Sequence, residues 1–158
     1  MSGSQFRSPV DAGRAQKTVG LLQPLLTDLS DLALQLKHAH WNVRGALFLP
    51  IHEQLDRIVE TVREAADEVA ERIVTLGHPA NGLAQAIAAE SRLNPLRMQF
   101  LPSQEVIEAL SARLDSVIQF LRVAIAATGE LDPVSQDLLI GVAASLEKHL
   151  WMLQSQHL

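Results

Sequence analysis

Apolar residues between Ile51 and Leu76 recur with the period of an α-helix that is buried along one side. The intervals alternate between four and three residues, which gives the stripe Ile51, Leu55, Ile58, Val62, Ala65, Val69, Ile73 and Leu76. This stripe predicts packing against other helices rather than a place in a sheet. Pro50 suits the first position of the helix, and Gly77 followed by Pro79 is typical of a helix end.

Three further segments show helical periodicity. The first covers about residues 19–39, where Pro24 lies either in the first turn or inside a helix that begins earlier. The second runs from Ser103, a good N-cap, to Thr128. The third begins after Asp132, where the Asp-Pro pair supplies the N-cap and the first helical residue.

The long connection between the second and third of the four predicted helices indicates how they are arranged. Residues 80–101 contain at most a short helix at Gly82–Glu90, and no segment of the chain has the pattern of a strand. A connection of this length suggests a crossover between two helical hairpins. We therefore predict an all-α, ferritin-like four-helix bundle over residues 16–158, preceded by a flexible tail over residues 1–15.

Composition excludes several classes of site. The 158 residues include no cysteine, so disulfides, thiolate nucleophiles and iron–sulfur centres are excluded. No apolar run approaches the roughly 18 residues that a membrane helix needs. The first residues lack the apolar region of a signal peptide, and we expect a cytoplasmic protein. A net charge of −5 does not favour nucleic-acid binding by the body of the protein.

Five residues between positions 40 and 71 have side chains that bind metal ions: His40, His52, Asp56, Asp67 and Glu71. Asp56 follows His52 by four residues and Glu71 follows Asp67 by four, so each pair lies on one helical face. Between Asp56 and Asp67 the helix rises roughly 16 Å and completes about three turns. The two pairs therefore point the same way but are too far apart to share one ion within a chain.

A two-fold axis near Thr61 and Val62 would bring the pairs together. Two antiparallel copies of the helix would place the His52 half of one chain, completed by His40, against the Asp67 half of the other. Two imidazoles and three carboxylates suit Fe(II), Mn(II) or Zn(II). An intrachain di-iron site would need Glu-x-x-His, and no glutamate here has a histidine three residues later. The alternative is a solvated helix face, on which Arg63 and Arg72 neutralise the acids.

The segment HAHWNVRGALFLPIHEQLD, followed by DEVAER, resembles the Dps family of mini-ferritins, the DNA-binding proteins from starved cells. Members carry His-Trp-Asn, a second histidine twelve residues after the first, and acids at the three following ligand positions. The match falls on His40, His52, Asp56, Asp67 and Glu71 without departure. It extends to KHLW near the C-terminal end and covers about residues 19–156.

The resemblance implies a hollow homododecamer whose ferroxidase sites lie at two-fold interfaces. It implies oxidation of Fe(II) with hydrogen peroxide or oxygen, and storage of the Fe(III) product as a mineral. Trp41 is similar to the tryptophan that members place beside the site. Acidic pores on three-fold axes are also implied, with Asp132, Asp137 and Glu130 in the matching places, although Asp132 also suits a simple N-cap.

Two other functions remain open at this level. Many members bind DNA through Lys-rich tails, whereas this tail offers only Arg7, Arg14 and Lys17. A bundle that holds a metal ion without turnover is the third hypothesis. His38, His78, His149 and His157 are interpreted as surface or packing residues.

Overall fold

The computed structural model describes residues 7–156; residues 1–6 of the predicted tail, together with His157 and Leu158, lie outside the described part. Its five helices are α1 (Ala12–Asn42), α2 (Phe48–Thr75), α3 (Ala84–Glu90), α4 (Ser103–Thr128) and α5 (Pro133–Gln154). The α1–α2 and α4–α5 hairpins pack side by side, with α1 against α4 and α2 against α5. The short helix α3 lies in the crossover, which confirms the predicted all-α bundle.

Helix α1 begins earlier than the sequence indicated. Asp11 caps it by accepting a 3.0 Å hydrogen bond from the backbone N–H of Arg14. Residues 12–15, predicted as flexible tail, are therefore helical. Pro24 lies inside the helix, so of the two predicted positions the one within a helix that begins earlier is correct.

Helix α2 has the predicted core stripe, and all eight of its apolar residues are buried. The helix begins at Phe48, so Pro50 is its third residue and not its first. Both positions lie within the first turn, where the backbone N–H has no helical acceptor. At the other end Gly77, with φ of +87°, donates to the Val74 carbonyl at 2.9 Å, and His78 donates to Ile73 at 3.3 Å. This pair of bonds is the Schellman ending that favours glycine.

Two short strands join the α1–α2 loop to the end of the crossover. The strands β1 (Val43–Arg44) and β2 (Leu101–Pro102) pair in parallel, with Val43 opposite Leu101. The prediction that no strand is present was wrong at these four residues. Ser103 is the first residue of α4, and Pro102, not Ser103, occupies the N-cap position. Within residues 7–156, no helix is long and apolar enough to cross a membrane.

An ion pair ties the crossover to α1. The buried Asp28 carboxylate accepts hydrogen bonds from the Arg92 backbone N–H at 3.0 Å and from its Nε at 2.9 Å. The Arg92 guanidinium also stacks on the Phe120 ring of α4 at 3.8 Å. These contacts hold the crossover on the α1–α4 side, so they leave the α2 surface uncovered by it.

Candidate metal centre

His40 and His52 hold each other in place where α1 ends and α2 begins. His40 Nδ1 lies 2.8 Å from the carbonyl oxygen of His52, and His52 Nδ1 lies 2.8 Å from the carbonyl oxygen of His40. A carbonyl oxygen only accepts, so both Nδ1 atoms carry hydrogen and donate. In the neutral rings Nε2 therefore keeps its lone pair, which is how a carbonyl in the second shell prepares a histidine to bind a metal ion.

The two imidazole rings also stack on each other. Their centroids are 3.6 Å apart and their planes differ by 20°. The Phe48 ring lies against His52, with 5.0 Å between centroids. His40 is only 6% exposed, so its ring has little freedom to move. The pair is thus a rigid feature of a single chain.

Asp56 follows His52 by one turn of α2 and contacts His40 of α1. Its Oδ1 atom lies 3.3 Å from His40 Nδ1 and 2.7 Å from the Lys37 ammonium. The hydrogen bond from Lys37 lowers the pKa of the Asp56 carboxyl. Sequence reasoning missed Lys37; the available signal was its position one turn before His40 on α1. Trp41 is 68% exposed beside them, and its place as a near-site aromatic remains a prediction.

Asp67 and Glu71 lie on the exposed face of α2, one behind the other and away from His52 and Asp56. Within residues 7–156, no group of three or more histidine and acidic side chains is close enough to hold a metal ion. A single chain therefore brings two predicted ligands, His40 and His52, into direct contact, with Asp56 touching His40, and presents Asp67 and Glu71 elsewhere.

Asp132, predicted as an N-cap and as a pore residue, forms an ion pair with α2. Its side chain is buried, accepts a 2.6 Å hydrogen bond from Arg72 and also accepts one from the Ser135 hydroxyl. Burial alone would raise the pKa of this carboxyl, but the hydrogen bonds from Ser135 and Arg72 outweigh burial and lower it. Asp132 is the N-cap residue by position, yet its side chain makes no capping bond. Its carboxylate is bound by Arg72 and Ser135 within one chain, and its pore role remains a prediction.

The other two predicted pore residues are on the surface. Glu130 is exposed in the α4–α5 turn. Asp137 lines an open cavity of about 420 Å³ between α2 and α5, together with Glu71 and Glu68. An acid predicted to line a pore thus shares an open surface depression with a predicted metal ligand. The pore roles of Glu130 and Asp137 remain predictions.

Comparison with known proteins identifies the family. The family model for the ferritin-like domain matches residues 19–157. The DNA protection during starvation protein of Mycolicibacterium smegmatis is 42% identical over 142 residues, which are 90% of this chain and 78% of that protein. The fine tangled pili major subunit of Haemophilus ducreyi is 41% identical, over 85% of this chain and 71% of that protein.

Solved structures agree with the sequence comparison. The tetragonal form of Dps from Mycobacterium smegmatis superposes with a TM-score of 0.91 at 39% identity, over 97% of this chain and 93% of that one. DpsA14 from Streptomyces coelicolor also gives 0.91, at 36% identity over 96% and 90% of the two chains. The chain therefore belongs to the Dps family of ferritin-like proteins.

Proposed function

We propose that this protein oxidises Fe(II) at sites shared between two copies of the chain and stores the Fe(III) product inside a hollow dodecamer. The observation that carries the proposal is the reciprocal bonding of His40 and His52. It leaves the Nε2 lone pairs of two stacked imidazole rings free to bind a metal ion, and the Asp56 carboxylate lies 3.3 Å from His40 Nδ1. The Dps relatives support the same reading.

The second half of each site comes from another copy. Asp67 and Glu71 are exposed on the same helix as His52, and two antiparallel α2 helices would place them against the half-site of the neighbouring chain. Exposed apolar side chains flank this surface on α1: Leu34 is 60% exposed and Trp41 is 68% exposed. Burial of such side chains against a second copy would stabilise the contact.

The complete ligand set would favour oxidation of bound iron. Three carboxylates stabilise Fe(III) more than Fe(II), because the additional positive charge interacts with three negative groups. Two Fe(II) ions supply the two electrons that cleave the O–O bond of hydrogen peroxide and yield two hydroxide ions; oxygen is the alternative oxidant. Because Fe(II) and peroxide are consumed together, fewer radicals form, so the protein would protect a cytoplasm under oxidative stress. Zn(II) or Mn(II) would compete for the same ligands.

Complementation between two inactive variants tests both the ligands and their sharing. His52→Ala and Asp67→Ala chains each lack half of every site in a pure assembly. In a mixed pair, one of the two sites contains both intact halves, and random mixing makes half of the pairs mixed. Peroxide-dependent Fe(II) oxidation, followed optically, should therefore return to about a quarter of the wild-type amplitude. If well-assembled mixtures recover no Fe(II) oxidation, the sites are not shared between chains. If each pure variant has full activity, the ligand assignment is wrong.

DNA binding is a second candidate, which the name of the relatives supports. Arg14 and Lys17 lie exposed in the first turns of α1, although Arg14 is 3.4 Å from the Asp11 carboxylate. Twelve such segments on one shell would act together. A gel shift of linear duplex DNA at low salt, lost at moderate salt, is the expected result for this weakly basic surface. Absence of a shift at low salt would remove this candidate.

A further inference from the structure

The exposed face of α2 is arranged symmetrically about its own midpoint. His52 pairs with Glu71 and Asp56 pairs with Asp67 in the proposed shared sites, and the midpoint of both pairs falls between Thr61 and Val62. Eight residues follow one side of the helix at intervals of 3, 4, 4, 3, 4, 4 and 3: Leu49, His52, Asp56, Glu60, Arg63, Asp67, Glu71 and Val74. The series reads the same in both directions, as a helix that contacts an antiparallel copy of itself requires.

The two pairs of the series that bind no metal ion have complementary chemistry. Glu60 and Arg63, the innermost pair, carry opposite charges and are both exposed. Neither takes part in an ion pair within residues 7–156. Leu49 and Val74, the outermost pair, are apolar and are 58% and 46% exposed. Both features point to an unfilled contact and not to a solvated helix face.

We propose that Glu60 of each chain pairs with Arg63 of the partner subunit across the two-fold axis, and that these two ion pairs set the register of the shared metal sites. Leu49 and the partner's Val74 close the two ends of the contact. The occupant of this face is thus a second copy of the same chain. This inference rests on the proposed function, because the axis position comes from the shared ligand sets.

The two neighbouring registers of the helix pair are each unfavourable, for different reasons. A slip of one helical turn in one direction would place Arg63 against the partner's Asp56 and so neutralise a metal ligand. A slip in the other direction would place Glu60 against the partner's Asp67, two like charges. The first slip pairs opposite charges but takes a ligand away from the metal site, and the second brings like charges together. Only the central register both pairs opposite charges and completes both ligand sets, so each wrong alignment carries a penalty.

Charge reversal and its restoration test the pairing. Glu60→Arg and Arg63→Glu each create two like-charge contacts per pair of chains, and each should raise the concentration at half-assembly by about ten-fold or more at low salt. The double variant, with both substitutions, restores opposite charges and should return within about three-fold of the wild type. The deficits of the single variants should shrink at high salt, because the groups are exposed. Arg57→Glu makes the same charge change as Arg63→Glu on another side of α2, so it is the matched control.

Sedimentation velocity over a concentration series measures assembly, and iron oxidation is followed in parallel on the same samples. The pairing would be overturned if the single variants assembled at the same concentrations as the wild type. It would also be overturned if the double variant assembled no more readily than either single variant. If the variants assemble as expected but the protein oxidises no iron, the contact is supported and the proposed function is rejected. The two failures are therefore distinguishable.

Discussion

Lys37 donates a 2.7 Å hydrogen bond from its ammonium group to Asp56, a carboxylate that we assign to the iron site. The lysine lies on α1 and the aspartate on α2, so the bond crosses the hairpin. It balances the charge of Asp56 and lowers the pKa of that carboxyl. An incoming Fe(II) ion would therefore compete with Lys37 for the same oxygen atom.

Lys37→Met should strengthen Fe(II) binding. The substitution frees Asp56 and removes a positive charge beside the incoming cation. A partly exposed ion pair contributes up to about 1 kcal/mol, so we expect up to about a five-fold gain in affinity. Anaerobic calorimetric titration with Fe(II) measures it. Lys17→Met, an exposed lysine of the same helix, is the control, and an unchanged or weaker affinity for Lys37→Met would show that Lys37 does not compete with the metal ion.

Asp132→Asn should destabilise the bundle, because it leaves the Arg72 guanidinium, which is 12% exposed, without its charged partner. Removal of one member of a buried ion pair costs about 3 kcal/mol. The midpoint of denaturant unfolding at neutral pH measures the loss. Glu147→Gln disrupts the exposed pair with Arg122 and should cost less than about 1 kcal/mol. Similar losses in the two variants would contradict the assigned importance of Asp132.

The difference between wild type and Asp132→Asn should depend on pH. The folded-state pKa of Asp132 lies below its ordinary value of 3.8, so its contribution is full above that value and is lost as pH falls towards the folded-state pKa. Unfolding midpoints of the two proteins should therefore converge in the acid range. A constant difference from neutral pH to below pH 3.8 would contradict the lowered pKa.

Local periodicity was enough to predict the helices, whereas contacts between distant residues were not predictable. The α2 core stripe follows from sequence alone because burial on one side imposes a period of 3.6 residues. The pairing of Arg72 with Asp132 joins positions 60 residues apart, and nothing local distinguishes it from a free N-cap. The same limit applies to Val43 opposite Leu101, and to Lys37 beside Asp56.

The predicted metal ligands also divide into local features that the sequence predicts and contacts between distant residues that it does not. The spacing of His52 and Asp56 predicted that they share one face of a helix, and both lie on α2, where the contact of Asp56 is with His40. The reciprocal bonds of His40 and His52 were not predictable, because they depend on how the loop between α1 and α2 positions two backbone carbonyls. The meeting of Asp67 with His52 involves a second chain, so it remains a prediction.

Gly77→Ala should destabilise the protein by about 1 kcal/mol or more, since the φ of +87° at this position disfavours any residue with a Cβ atom. Gly20→Ala is the matched opposite case. Gly20 lies inside α1 with no neighbouring atom within 4 Å of an added Cβ, so alanine should stabilise by about 0.5–1 kcal/mol. Thermal and denaturant unfolding measure both. Equal effects of the two substitutions would contradict the assigned Schellman ending.

The His149 ring should make stability depend on pH near neutrality. Its Nε2 atom shares a 2.8 Å hydrogen bond with the Thr61 hydroxyl, and burial, followed by the charge of Lys148, lowers the pKa of the imidazole from its ordinary value of 6.5. The unfolded chain binds the proton more readily, so stability is full above 6.5 and decreases as pH falls below it. His149→Gln should remove this part of the decrease, and Lys148→Gln should reduce it. Parallel stability curves for all three proteins between pH 7 and pH 5, measured by urea unfolding, would contradict the prediction.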